Sequence, residues 1–296
     1  MKASAPPWLA SGRGLTIVAM LPALILILAL IYFTVWVIAF SFTNLELVGP
    51  RSINWEWIGL DNYARLFTRK GFLDSLWTSI LFTFFSAIVG QSVLGFLFAV
   101  AMRNNYSGLK TAFEVAIMLG WLLPDVVAAF LWSSTLSDNG LVNTLVVKPL
   151  GLSPVNFINQ FALPVVIIAN IWKGVAWSYL LFSAALDSIP RETIEAAKVD
   201  GASALQRTYL VILPMLRHHI ATNLLFITIW TFTYFPLIYA MTGGGPGRQT
   251  EVLPVFMYNQ SFGIGKLGYG AAISVAMLLV VGFLSIFYLR MMKEPK

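Results

Sequence analysis

Six long apolar runs, at residues 15–40, 75–101, 111–135, 162–186, 216–241 and 267–289, constrain this chain more than any other feature. At 1.5 Å of rise per helical residue, about 20 residues cross the ~30 Å hydrocarbon core of a bilayer, and every run is longer than that. The composition agrees: 58% of the 296 residues are hydrophobic and 11% are charged, too apolar for a soluble globular protein of this length. The expected fold is an all-α membrane protein with six transmembrane helices. The first run exceeds a signal-peptide h-region and no small-residue cleavage site follows it, so it reads as an uncleaved helix. The chain has no cysteine. That excludes thiolate chemistry, iron–sulfur clusters, cysteine-ligated zinc and disulfides, and says nothing of redox compartment.

A net charge of +6 raises nucleic acid as a partner. The basic residues are scattered through short connections between apolar runs, however, and membrane topology accounts for them better, so no nucleic acid is expected. With both termini inside, eleven basic residues (Lys2, Arg13, Arg103, Lys110, Arg191, Lys198, Arg207, Arg217, Arg290, Lys293 and Lys296) lie on the cytoplasmic side, against seven outside (Arg51, Arg65, Arg69, Lys70, Lys148, Arg248 and Lys266). Four of those seven share the longest outer loop, which strengthens the bias. The layout is a cytoplasmic N-terminus at 1–14, a first helix at 15–40 and an extracytoplasmic loop at 41–74. Five further helices follow within 75–289, enclosing a cytoplasmic loop at 187–215, and a cytoplasmic C-terminus occupies 290–296. Trp55, Trp57, Tyr63, Leu66, Phe67 and Phe72 give the outer loop enough apolar area to lie on the membrane surface.

The cytoplasmic loop carries the densest local signal. Ser188 reads as an N-cap with Pro190 in the first turn; Glu192 and Glu195 lie toward the positive end of the helix dipole and Lys198 toward the negative end. Gly201 stops this helix, and Ser203 with Gln206 reads as a capping box that starts another. The order Glu195-Ala196-Ala197-x-x-Asp200-Gly201-Ala202, followed by Ile212-Leu213-Pro214, resembles the EAA loop of bacterial ABC-importer permeases. Further stretches agree with the sugar-importer members of that family: Ile58-Gly-Leu-Asp-Asn-Tyr63 with Leu66-Phe67, Asn139-Gly-Leu-Val-Asn143, and Thr242-Gly-Gly-Gly-Pro246 with Thr250.

The resemblance implies a type I ABC importer permease fold in a bacterial plasma membrane. It implies a second permease subunit, by the habit of sugar importers a homologue, two ATP-binding cassette subunits and an extracytoplasmic solute-binding protein. Glu195, Ala196, Ala197, Asp200, Gly201, Leu213 and Pro214 would couple this chain to the ATPase. The chain itself would be no enzyme and hold no cofactor, with ATP and Mg bound by the partner.

Other motifs give way to plainer readings. Gly263-Ile-Gly-Lys-Leu-Gly268 satisfies a dinucleotide pattern, but no strand precedes it. Residues 243–247 lack the Gly-Lys-Ser/Thr ending of a P-loop. His218 and His219 are adjacent, point about 100° apart on a helix and cannot chelate one metal together, so no metal site is expected.

Two ionisable residues inside the apolar runs are harder to dismiss. Asp125, near the middle of the third run, and Lys173, near the middle of the fourth, would each cost about 2.5–3.5 kcal/mol at the bilayer centre. The two runs are antiparallel, so the pair sits at similar depth. A buried Asp125–Lys173 ion pair is one reading, and each facing a polar path separately is the other. Asn170, Lys173, Gly174 and Trp177 share a face of the fourth helix at i, i+3, i+4 and i+7, and Thr231 and Tyr234 share one on the fifth, with Trp230 beside them. Hydrogen-bonding groups beside flat rings are what a sugar needs. In maltose-type permeases, which this chain resembles, the cargo lies against the corresponding helices, although those are richer in asparagine on the fifth. The expected function is therefore carbohydrate import. A non-sugar solute such as glycerol phosphate, an amino sugar or a peptide, and a self-sufficient secondary carrier, remain as alternatives.

Overall fold

A computed structural model describes residues 12–68, 70–103 and 108–292. Most of the 1–14 and 290–296 segments, with Lys2, Arg69, Lys293 and Lys296, lies outside the described residues. The principal helices in order, apart from short turns of three to five residues, are α1 (Gly12–Phe40), α2 (Asp61–Thr68), α3 (Lys70–Met102), α4 (Gly108–Leu122), α5 (Asp125–Thr135), α6 (Ala162–Asp187), α7 (Arg191–Val199), α8 (Ala204–Met215), α9 (Arg217–Phe232), α10 (Pro236–Thr242), α11 (Leu253–Tyr258) and α12 (Leu267–Met292). Among the described residues there is no strand, and only one isolated bridge, Thr43 with Trp57. Four helices, α1, α3, α6 and α12, contain stretches long and apolar enough to cross a membrane alone. Two bent pairs, α4 with α5 at 105° and α8 with α9 at 73°, bring the total to six if each counts as one span.

The bends depart from the straight third and fifth spans expected from hydropathy. In the third run Pro124 has no N–H to give the preceding turn, and its ring pushes Leu123 out of the helical region, so α4 ends at Leu122 and α5 restarts at Asp125. In the fifth, the 73° bend lies at Leu216, between α8 and α9; further on, α9 stops at Phe232 and Pro236 opens α10 from a first-turn position where a missing N–H costs nothing. The second span also begins earlier than expected, at Lys70, and α2 occupies part of the outer loop.

Two compact units divide the chain, one of residues up to Arg65 with Gln260–Val275, the other of Leu66–Asn259 with residues from Ala276 on. In the first, the loop after α1 is pinned by Asn62. Its side-chain amide, 2% exposed, donates to the carbonyls of Ser41 at 2.9 Å and Thr43 at 2.8 Å, while the Tyr63 and Ser41 hydroxyls meet at 2.6 Å. This gives the Gly-Leu-Asp-Asn-Tyr string a structural purpose. The 263–268 glycine stretch is spent on packing too: Gly265 O accepts from Leu47 N at 2.7 Å and Gly268 N donates to Leu45 O at 2.9 Å.

The second unit is built on α3 running beside α6. A Cβ on Gly95 would lie 2.5 Å from Ser178 Cβ and 2.9 Å from backbone atoms of Ser178 and Tyr179, so glycine there lets the two helices touch backbone to backbone. One core cluster gathers Phe82, Ala128, Ala129, Val166, Ala169, Leu237 and Ile238; another gathers Ala99, Tyr179, Phe182, Leu186, Ile189, Ile212 and Leu216 toward the loop end. The two remaining family strings are clips in this unit. Asn143 is fully buried, donates to Ser137 O and Val155 O, and accepts from Val155 N. Thr250 bonds Thr242 Oγ1 at 2.7 Å and Gly245 O at 2.8 Å.

Candidate functional site

The two proline breaks meet at one place. Ending α4 at Leu122 leaves carbonyls at its C-terminus without helical donors, and the negative end of a helix dipole attracts a cation. Lys173, arriving from the adjacent α6, fills that role: its Nζ lies 2.5 Å from Leu123 O and 3.5 Å from Trp121 O. Asp125 lies at the break in the third run rather than within one continuous helix. It is the first residue of α5, where the positive end of the dipole favours a carboxylate. Its Oδ1 lies 3.0 Å from Lys173 Nζ and accepts the Tyr234 hydroxyl at 2.5 Å from the other break. The two charges touch, as the paired reading has it, and both line a cavity.

That cavity, of about 580 Å³, is lined by Asp125, Asn170, Lys173, Gly174, Trp177, Trp230, Thr231 and Tyr234, all anticipated from sequence, together with Gln91, Trp121, Leu123, Pro124, Thr233, Phe235 and Pro236, which were not. The ring centroids of Trp177 and Trp230 are 4.8 Å apart at 66°, with Phe226 at 5.9 Å from each. The Trp177 Nε1 is buried without a hydrogen-bond partner. Thr231 and Tyr234 line the cavity for a different reason than a shared helical face. α9 stops two residues short of Tyr234, and a turn closed by Tyr234 N to Thr231 O at 3.2 Å carries the chain on.

Gln91 was missed. It lies in the π-wound stretch Phe84–Ser92 of α3, is 4% exposed, and donates to Asn170 O at 3.2 Å; Asn170 in turn donates to Ser86 Oγ at 2.9 Å. A Cβ on Gly174 would lie 2.4 Å from the Gln91 amide, so the bare glycine makes room for it. A glutamine inside an apolar run was the available signal. The proline pair was the other, since two interrupted apolar segments point to a site between them.

The residues of the 187–215 loop form a separate feature. Glu195, Ala196 and Ala197 lie on α7, a helix with no buried residue, and Glu195, Ala196, Asp200, Gly201 and Pro214 are exposed while Ala197 and Leu213 are half-buried. Ser188 does not cap α7 as expected; its hydroxyl donates back to Ala185 O at 2.7 Å, on α6, and Pro190 is the residue that precedes α7. The capping box is present, with Ser203 Oγ accepting from Gln206 N at 3.3 Å and Gln206 Oε1 from Ser203 N at 2.8 Å. Gly201, at φ +79°, makes the corner in a region where a side chain is strained. Ile189 and Ile194 tie this segment to the core below it, whereas Val199, Leu205, Tyr209 and Leu210 stand 65–88% exposed. An exposed polar helix flanked by bare apolar side chains has the character of a docking surface.

The family model described as "Binding-protein-dependent transport system inner membrane component" matches residues 91–293. The chain is 31% identical over 236 residues to the trehalose/maltose transport system permease protein MalF of Thermococcus litoralis, covering 79% of each. It is 30% identical to the sulfoquinovosyl glycerol transport system permease protein SmoG of Agrobacterium fabrum, over 97% of this chain and 93% of the relative. Its fold matches a chain of a bacterial ABC transporter involved in the import of the acidic polysaccharide alginate, with a TM-score of 0.76 at 24% identity and 97% and 99% coverage. With residues 91–293 matched by the family model and 79% of its length by a relative at 31% identity, the chain belongs to the family of binding-protein-dependent transport system inner membrane components.

Proposed function

We propose that this chain is a permease subunit of an ATP-driven importer and that its cargo is a carbohydrate received from an extracytoplasmic binding protein. The observation that carries the reading is the cavity at the two helix breaks, where tryptophan faces stand beside a carboxylate, an amide and hydroxyls. Flat rings cover the C–H faces of a sugar while the polar groups take its hydroxyls. The names of the trehalose/maltose and sulfoquinovosyl glycerol permeases, and of the alginate importer, support carbohydrate cargo. Those names run from trehalose/maltose to an acidic polysaccharide, so the family leaves the charge of the cargo open.

In this reading a second permease completes the path, and two ATP-binding cassette subunits hold ATP and Mg and dock on the 187–215 loops, with both termini cytoplasmic. α7, around Glu195 to Asp200, receives the motion of the ATPase pair. The force reaches the cavity through covalent continuity and through the packing of Ile189 and Ile194, since α7 and α8 join α6, which carries Lys173, to α9, which ends beside Tyr234. Breaks in helices give the bundle two discrete arrangements to move between. The test is ATP-driven uptake of labelled sugar by the reconstituted complex carrying Glu195→Ala with Asp200→Lys. Uptake should fall at least tenfold while the complex still assembles; unchanged uptake would remove the proposed coupling role.

A further inference from the structure

The cavity holds two formal charges among its lining residues, and they are arranged unequally. An ammonium has three N–H donors and no acceptor. Around Lys173 Nζ stand three acceptors, Leu123 O at 2.5 Å, Asp125 Oδ1 at 3.0 Å and Trp121 O at 3.5 Å, and the side chain is 11% exposed. The protein itself has therefore used the binding capacity of its one cavity-lining cation.

Asp125 is the opposite case. Lys173 and Tyr234 both approach Oδ1, no described residue hydrogen-bonds Oδ2, and the side chain is 26% exposed. The charged atom left for a ligand is thus a carboxylate oxygen, which can only accept. A sugar hydroxyl can donate to it while the rings of Trp177 and Trp230 cover the sugar's C–H faces. A cargo carrying a carboxylate, sulfonate or phosphate would meet a like charge at Oδ2. It could reach the ammonium only by stripping it from three acceptors and leaving the Asp125 carboxylate without its counter-charge.

We propose that the cargo is an uncharged carbohydrate, and that Asp125 determines this by accepting a hydroxyl hydrogen through Oδ2 and by holding Lys173 out of reach of anions. The proposal rests on the carbohydrate reading above and names the charge class within it.

The test uses the full transporter complex in nanodiscs without the binding protein, so that selection by the permease is read alone. Saturation-transfer NMR titrations compare maltose, trehalose and maltotriose with uronic-acid di- and trisaccharides of matched size. The wild-type complex should bind the neutral sugars at least tenfold more tightly than the acidic ones. In Asp125→Asn the ammonium loses its counter-charge, and the neutral-to-acidic ratio should fall at least tenfold, whereas Asp125→Glu, which keeps the charge, should retain a preference for neutral sugars. Wild-type complex that binds the uronic acids as well as or better than the neutral sugars would overturn the charge assignment and leave carbohydrate import standing. An unchanged ratio in a folded Asp125→Asn complex would overturn the role of Asp125. Binding of no sugar of either class, with another kind of solute transported, would overturn the carbohydrate reading and this proposal with it.

Discussion

Breaking the Asp125–Lys173 pair from either side should not cost the same. In Lys173→Met the carboxylate loses its only close cation and keeps a single donor, the Tyr234 hydroxyl. Removing one partner from a fully buried pair costs about 3–5 kcal/mol, and with Asp125 still 26% exposed the cost falls below that range, to about 2–3 kcal/mol. In Asp125→Asn the ammonium keeps two of its three acceptors, the carbonyls of Leu123 and Trp121, and the new amide oxygen can still accept from Tyr234, so about 1–2 kcal/mol is expected. The double variant has no uncompensated charge and should sit within about 1 kcal/mol of wild type, giving a coupling of about 2–6 kcal/mol. The assay is a double-mutant cycle on the purified chain, unfolded reversibly in mixed micelles and followed by tryptophan fluorescence. Additivity of the two single changes within about 0.5 kcal/mol, or a greater loss for Asp125→Asn than for Lys173→Met, would refute the reasoning.

The remaining predictions concern the frame around the cavity. Gly95→Ala places a methyl 2.9 Å from the backbone of α6, which cannot turn away as a side chain can; the same unfolding assay should show a loss of about 1–3 kcal/mol. Asn143→Ala leaves the Val155 N–H and carbonyl without their side-chain partner, at about 1–3 kcal/mol for each group that stays buried and unpaired, and hydrogen exchange should rise at Val155. Gly201→Val forces a β-branched residue to φ +79° and should weaken assembly with the ATPase in a pull-down, whereas Gly201→Asn should be tolerated.

Hydropathy located the membrane-crossing material because burying an apolar helix in lipid is a sum over residues, insensitive to where any one of them points. The same insensitivity hid the breaks. Pro124 and Pro236 change hydropathy little and change backbone geometry decisively, so the third span appeared as one straight helix when it turns through 105° at Leu123–Pro124. Side-chain spacing on α6 was legible, since Asn170, Lys173, Gly174 and Trp177 sit on a regular helix where i, i+3, i+4 and i+7 hold. It was not legible at Tyr234, which lies past the end of α9, nor at Gln91, whose approach to Gly174 depends on how α3 and α6 register against one another. The Ser188 cap failed for a local reason: a serine at the end of α6 has a nearby carbonyl, Ala185 O, to bond instead. The capping box and the Gly201 corner depend on short-range geometry alone, and both are present.

The account turns on where the energy comes from, and one comparison addresses that directly: uptake of labelled sugar into liposomes that hold either this chain alone or the proposed complex with a second permease, an ATPase pair and a binding protein. The complete complex should accumulate sugar against its gradient only when ATP and Mg are inside the ATPase compartment, and the chain alone should move none. Uphill or facilitated movement of sugar by the isolated chain would contradict the account.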